Sequence, residues 1–122
     1  MRKKRELERF AKYCFGVLGL PPIQIHYCPS KQLINPDDVY CFGCYTYDDS
    51  KELRTKEIWL GYRLPKISVM WNMAHEIWHY KQDMDGRIHL MPLDECEDEA
   101  NKAAGKLVGH WLIRGGKVTI DD

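Results

Sequence analysis

Residues 75–79 read His-Glu-Ile-Trp-His. Positions i and i+4 of an α-helix lie one above the other on a single face, so this spacing brings two imidazoles together only if the segment is helical. The surrounding residues supply that helix. Met70, Trp71, Ala74, Ile77 and Trp78 form a wide apolar face that predicts a helix over 65–84, ended by Asp85-Gly86. Two imidazoles so placed can share one ion at Zn–N distances of about 2.0–2.1 Å. Glu76 then sits beside the open position of the metal, where a carboxylate can accept a proton from water. His75 and His79 are the candidate metal ligands and Glu76 the candidate catalytic base.

The rest of the chain is read from periodicity and breakers. Residues 4–18 predict an amphipathic helix with Leu7, Phe10, Ala11, Cys14, Val17 and Leu18 on one stripe, stopped by Gly19 and Pro21-Pro22. Residues 23–27 alternate as a strand, 29–38 read as a loop, and 39–47 read as a second strand in which Gly43 marks a bulge or close approach. A turn over 48–51 and a third strand over 56–62 complete a hairpin with a long connection. The last helix opens at Asp94, which forms a capping-box variant with Glu97. It buries Cys96, Ala100, Ala103, Ala104, Leu107, Val108 and Trp111, and stops at Gly115-Gly116 before an extended tail at 118–120. No repeat or linker divides the sequence, so one domain over 1–122 is expected.

Composition narrows the function classes. Lys+Arg and Asp+Glu are 18 each, and this zero net charge argues against a nucleic-acid or membrane partner across the whole chain. Residues 1–18 hold six basic and two acidic residues, which read as a solvated helix start. No apolar run is long enough to span a membrane, and no apolar region follows the basic start as a signal peptide requires. Five cysteines without such a signal read as reduced thiols in a cytoplasmic protein. Cys41-Phe-Gly-Cys44 has C-x2-C spacing, but a metal knuckle there needs a turn at Phe42-Gly43. In a regular strand the two side chains point to opposite faces.

Catalytic zinc generally takes three protein ligands and a water, so two histidines are one ligand short. The extended metzincin motif needs Gly at position 82 and His at 85, where this chain has Gln82 and Asp85. Glu95 and Glu99 open the last helix, one turn apart, and packing of the two helices can bring one of them to the metal. His89, in the connecting loop, is a further alternative.

H-E-x-x-H followed by a helix bearing Glu-Ala resembles the gluzincin zinc metallopeptidases, including thermolysin-like and ImmA/IrrE-like enzymes. Glu99-Ala100-Asn101 is similar to the ImmA/IrrE pattern. His75 to Gln82, with Gly86 after it, resembles small phage-encoded metallopeptidase-like proteins. The resemblance covers roughly residues 56–108 and about seven motif residues. It implies an α+β minimal zincin-like domain: N-terminal helix, small three-stranded sheet, H-E-x-x-H helix and C-terminal glutamate helix. It implies that His75, His79 and Glu99 hold zinc, that Glu76 is the general base, and that the chain hydrolyses a peptide or protein substrate with metal-activated water. Strand 56–62 becomes the edge that pairs with extended substrate. SprT-like zincins take a His from beyond the helix, which keeps His89 beside Glu95 as an alternative third ligand. Thermolysin-like enzymes carry an Asp four residues after the ligand Glu, where this chain has Ala103. The partner that orients a histidine must then be Asp98, Glu95 or a backbone carbonyl. Tyr80, Tyr62 and His89 are the candidate oxyanion donors. The alternative function is a catalytically silent, zinc-stabilised module that binds a protein or regulates one.

Overall fold

The computed structural model describes residues 2–48 and 55–115 of the chain. Among them, three helices, a three-stranded sheet and a two-stranded sheet form a mixed α+β architecture. In chain order these are α1 (Arg2–Leu18), β1 (Gln24–Cys28), β2 (Leu33–Ile34), β3 (Tyr40–Cys41), β4 (Gly43–Tyr47), β5 (Lys56–Gly61), α2 (Lys66–Met84) and α3 (Leu93–Gly115).

The three-stranded sheet has the order β1-β5-β4. The expected hairpin is the antiparallel pair β4–β5, in register from Gly43↔Leu60 to Tyr47↔Lys56. β1 lies parallel to β5 on its other side, from Gln24↔Glu57 to Cys28↔Gly61. This corrects the expectation that strand 56–62 is an edge. β5 is central because its inward residues, Ile58 and Leu60, are the sheet's fully buried ones, and the middle of the sheet removes the most apolar surface from water. The edge strand that flanks the candidate site is β4. The single strand expected over 39–47 is also divided. A bend at Phe42 separates β3 from β4, and β3 pairs instead with β2, inside the segment expected to be a loop.

α2 packs against α1, α3, β4 and β5. Its buried residues include Val69, Met70, Met73, Ala74, Ile77 and Tyr80, whereas Trp71 and Trp78 are half-buried. On α1, Leu7, Phe10, Ala11 and Cys14 are buried as the period predicts. Val17 is not: it is 57% exposed, and Phe15 turns inward in its place, edge-on to Tyr80. Lys3 ties the start of α1 to the loop before α2 by donating to the carbonyls of Tyr62 (2.8 Å) and Leu64 (2.7 Å).

The end of α2 fixes the direction in which the chain leaves it. Gly86 adopts φ +72°, a left-handed conformation glycine takes without steric cost. Its amide donates to Asp83 O and that of Arg87 to Gln82 O, both at 2.9 Å, which closes a Schellman turn. Arg87 is thereby aimed at the first turns of α3. That helix buries Cys96, Ala100, Ala104, Leu107 and Val108, and Trp111 packs on Phe10 and Tyr13. The capping box expected at its start does not form. Asp94 accepts from the amide of Glu95, and the Glu97 carboxylate is engaged by α2. The expected tail at 118–120 and most of the turn at 48–51 lie outside the described residues. No helix among the described residues is long and apolar enough to cross a membrane.

Gly43 is a close approach. A Cβ there would meet Leu60 Cδ2 at 2.9 Å, the Trp59 carbonyl at 3.2 Å and Glu76 Cγ at 3.4 Å. Overpacking of this kind costs about 1–3 kcal/mol. Gly43→Ala is therefore expected to lower unfolding stability by that amount in urea titration, and a variant as stable as the parent would contradict the packing.

Candidate metal centre

The α2 helix presents His75, Glu76 and His79 toward a cleft of about 720 Å³, bounded across from them by β4 and the bend before it. All three residues are buried. Their ligand atoms lie within 4.8 Å of one another, a grouping able to hold a metal ion. The two Nε2 atoms face each other at 3.1 Å. A third residue bridges them: Glu97 of α3 places Oε2 2.9 Å from His75 Nε2 and Oε1 3.1 Å from His79 Nε2. Donors around a tetrahedral ion, at about 2.0–2.1 Å each, stand about 3.3 Å apart, so these three side chains fit a metal with shifts of a few tenths of an ångström.

Neighbouring residues hold the histidines in place. His79 Nδ1 bonds Gln82 Oε1 at 2.8 Å, which leaves Nε2 to face the centre. Gln82 is fully buried, and its amide donates to the Cys96 carbonyl (3.1 Å) and to Glu99 (3.3 Å). The orienting partner is thus Gln82, and not Asp98, Glu95 or a backbone carbonyl as expected. His75 stacks on Trp71 with ring centroids 5.4 Å apart. Its Nδ1 is buried without a hydrogen-bond partner. Glu76 is packed beneath Gly43 and accepts from the backbone N–H of Tyr45. The β4 wall is anchored by Asp83, which accepts from the Tyr45 hydroxyl and from Lys56 Nζ at 2.8 Å.

Glu99, the expected third ligand, is elsewhere. Arg87 grips its carboxylate from two nitrogens, at 2.7 and 3.2 Å, and Trp78 Nε1 donates to it at 2.7 Å. The Schellman turn that positions Arg87 is the reason: it sets a cation against the Glu99 side of α3 and leaves the opposite side, with Glu97, to the histidines. Glu95 is exposed, and it is its backbone amide that bonds Asp94. Asp85 pairs with Lys81 at 3.1 Å. His89 is exposed, with Nε2 3.0 Å from the Tyr47 hydroxyl. The Tyr80 hydroxyl donates to the Pro21 carbonyl at 2.8 Å, and the Tyr62 ring lies under Lys3 against Tyr27, so neither borders the cleft. Tyr47 does.

Electrostatics follow the geometry. Burial pushes the Glu76 carboxyl above its ordinary value, against the opposing pull of both histidines. Burial opposes charge on His79 too, but the Glu97 carboxylate, with Glu76 and Gln82, outweighs it and holds the imidazolium above its usual value. Hydrogen bonds from His75 and His79 hold Glu97 far below the ordinary carboxylate range. Glu99 is lowered to about 2, chiefly by its hydrogen bonds from Arg87.

Comparison with protein-family models, curated proteins and solved structures finds no match.

Sequence reasoning missed Glu97, Gln82 and Trp71. A signal for Glu97 was present. At about 100° per residue, Glu97 lies about 65° from the centre of the Cys96–Ala100–Ala104–Leu107 stripe, whereas Glu99 lies about 95° away on the other side. Its reading as a capping residue hid it.

The Glu99–Arg87 pair has a definite pH signature. Because the folded value is below the ordinary 4.5, the stability it contributes is whole above 4.5 and is lost as pH falls toward about 2. Arg87→Met is expected to move the Glu99 titration, followed by carboxyl-carbon NMR, up toward the ordinary range. The stability gap between parent and variant should narrow across that same acid window. An unmoved titration would remove Arg87 as the cause.

Proposed function

We propose that the chain is a zinc-dependent metallopeptidase of minimal zincin-like design. His75, His79 and Glu97 hold the metal and Glu76 is the general base. The observation that carries this reading is the convergence of two Nε2 atoms and one carboxylate on a single point, beside a buried glutamate at the floor of an open cleft. When bound, zinc supplies Lewis-acid polarisation and a lowered pKa for water.

The remaining chemistry belongs to the chain. Glu76 takes a proton from the attacking water and delivers it to the departing amine. Its proton affinity, raised by burial, suits a group that must both accept and return a proton. Gln82 and Trp71 fix the histidine rings, so the site is organised before substrate arrives. The edge of β4, beside the cleft, offers backbone groups on which an extended peptide can pair. Tyr47 borders the cleft in the place where Tyr80 and Tyr62 were expected to serve.

Elemental mass spectrometry on untagged protein is the direct test. About one zinc per chain is expected, lost in His75→Ala and His79→Ala. Glu97→Ala should weaken binding by more than tenfold, whereas Glu99→Gln should leave the metal in place. Loss of a group that orients a ligand typically costs 10–100-fold in affinity, so roughly that loss is expected for Gln82→Met. Glu76→Gln should keep zinc and lose about 10²–10⁴-fold in peptide hydrolysis. Retained hydrolysis in that variant would sink the mechanism. Bound zinc that stabilises the fold without hydrolysis of any peptide would favour the silent binding module instead.

A further inference from the structure

The basic start of the chain is set in order by α1. Arg5, Arg9 and Lys12 recur at steps of four and three residues, so they share one face of that helix, turned away from the buried Leu7, Phe10 and Cys14. At 1.5 Å per residue the row runs about 10 Å along the axis. All three side chains are exposed. Among the described residues no carboxylate pairs with any of them. Of the two acids on α1, Glu6 is held by Arg2 and Lys66, and Glu8 borders a separate groove beside Tyr27. Zero net charge argues against an anionic partner across the whole chain, and leaves room for one on a single face.

The end of α3 brings aromatic rings and a further cation to this row. The Trp111 and Tyr13 rings stand 5.1 Å apart between centroids, tilted by 50°. Phe10, buried beneath them, meets Trp111 edge-on at 5.7 Å. The Arg114 guanidinium lies over the Tyr13 ring, 5.5 Å from its centroid, an attraction of cation and ring face that holds both in place. Arg9, Lys12, Tyr13, Trp111 and Arg114 together line an open groove of about 540 Å³. None of the five borders the cleft of the metal centre.

We propose that this groove binds single-stranded nucleic acid, with phosphates on Arg9, Lys12 and Arg114 and an unpaired base against the Tyr13 and Trp111 rings. The inference goes beyond the peptidase reading and does not depend on a metal. Three cations without carboxylate partners would attract any polyanion. The rings narrow the choice, because a base has a flat face to lay on them and an aspartate or glutamate side chain has none. A duplex keeps its bases stacked inside, so only a single strand offers phosphates and a free base face together. Phe10 and Arg114 already fix the two rings, so the platform is formed before the strand arrives.

The test is fluorescence anisotropy of end-labelled oligothymidylate and oligouridylate, each about 12 nucleotides long, with the intact chain over a range of salt concentrations. Binding of either strand supports the proposal, and the tighter one tells DNA from RNA. The logarithm of the binding constant is expected to fall with the logarithm of salt at a slope of about −2, or about −0.7 for each of three cations. Arg9→Ala, Lys12→Ala and Arg114→Ala should each weaken binding about fivefold at about 0.1 M salt and flatten the slope by about 0.7. These side chains are exposed, so the variants keep the fold. Lys31→Ala, at an exposed cation outside the groove, should change neither value. Binding should also alter tryptophan emission in the parent, and Trp111→Phe should abolish that change. No binding at low salt, or binding indifferent to the three cation variants, would overturn the proposal. So would equal affinity for a duplex or for polyglutamate of the same charge, or an emission change that survives Trp111→Phe. These readouts are independent of zinc content and of peptide hydrolysis.

Discussion

A glutamine with no access to water must satisfy its amide inside the protein, and Gln82 does so in a way that fixes the register of α3 on α2. Its oxygen meets His79 Nδ1, and its nitrogen donates to the Cys96 carbonyl and to Glu99. A buried amide left unpaired costs about 1–3 kcal/mol, so sliding α3 by a single residue would forfeit both bonds of the Gln82 nitrogen together. The same three contacts join a candidate ligand, the backbone of the glutamate helix and the Arg87–Glu99 pair. The geometry of the centre and the packing of the helices are therefore one constraint.

That register explains how a run of five acidic residues at 94–99 is divided. Glu99 is neutralised by Arg87 and Glu97 by the two histidines, while Asp94, Glu95 and Asp98 stay exposed. Carboxylates one turn of helix apart or closer repel when left unpaired. Here each of the two that approach α2 meets its own cationic or donor partner. The cleft owes its other wall to Asp83, which pins β4 through Tyr45 and Lys56 at the end away from the bend.

Much of the fold was legible because hydrophobic period and breakers act locally. The stripe on α1, the helix around residues 75–79, the buried small residues of α3 and the β4–β5 hairpin all follow from spacing alone. What was not legible depended on partners distant in sequence. β5 is central only because β1 returns beside it, and nothing within 56–62 states that. The break at Phe42 reflects competition between β2 and β5 for the same stretch of chain. The choice between Glu97 and Glu99 turned on where a Schellman turn aims one arginine. His75, Glu76 and His79 were readable because a single helix holds all three. The bridging carboxylate of Glu97 was not, because it arrives from another helix whose rotation the sequence does not print.

The opposed imidazoles also couple ions to protons. The carboxylate spanning the two Nε2 atoms, which stand 3.1 Å apart, favours an added proton on this imidazole pair. His79, whose imidazolium is held above its usual value, is the natural holder of that proton. Any cation that takes the place between these atoms must first expel it. Occupancy of the centre by a metal ion would thus be a thermodynamic exchange of a hydrogen ion for the metal: acidification would favour the protonated form, and uptake would release a proton to the solvent.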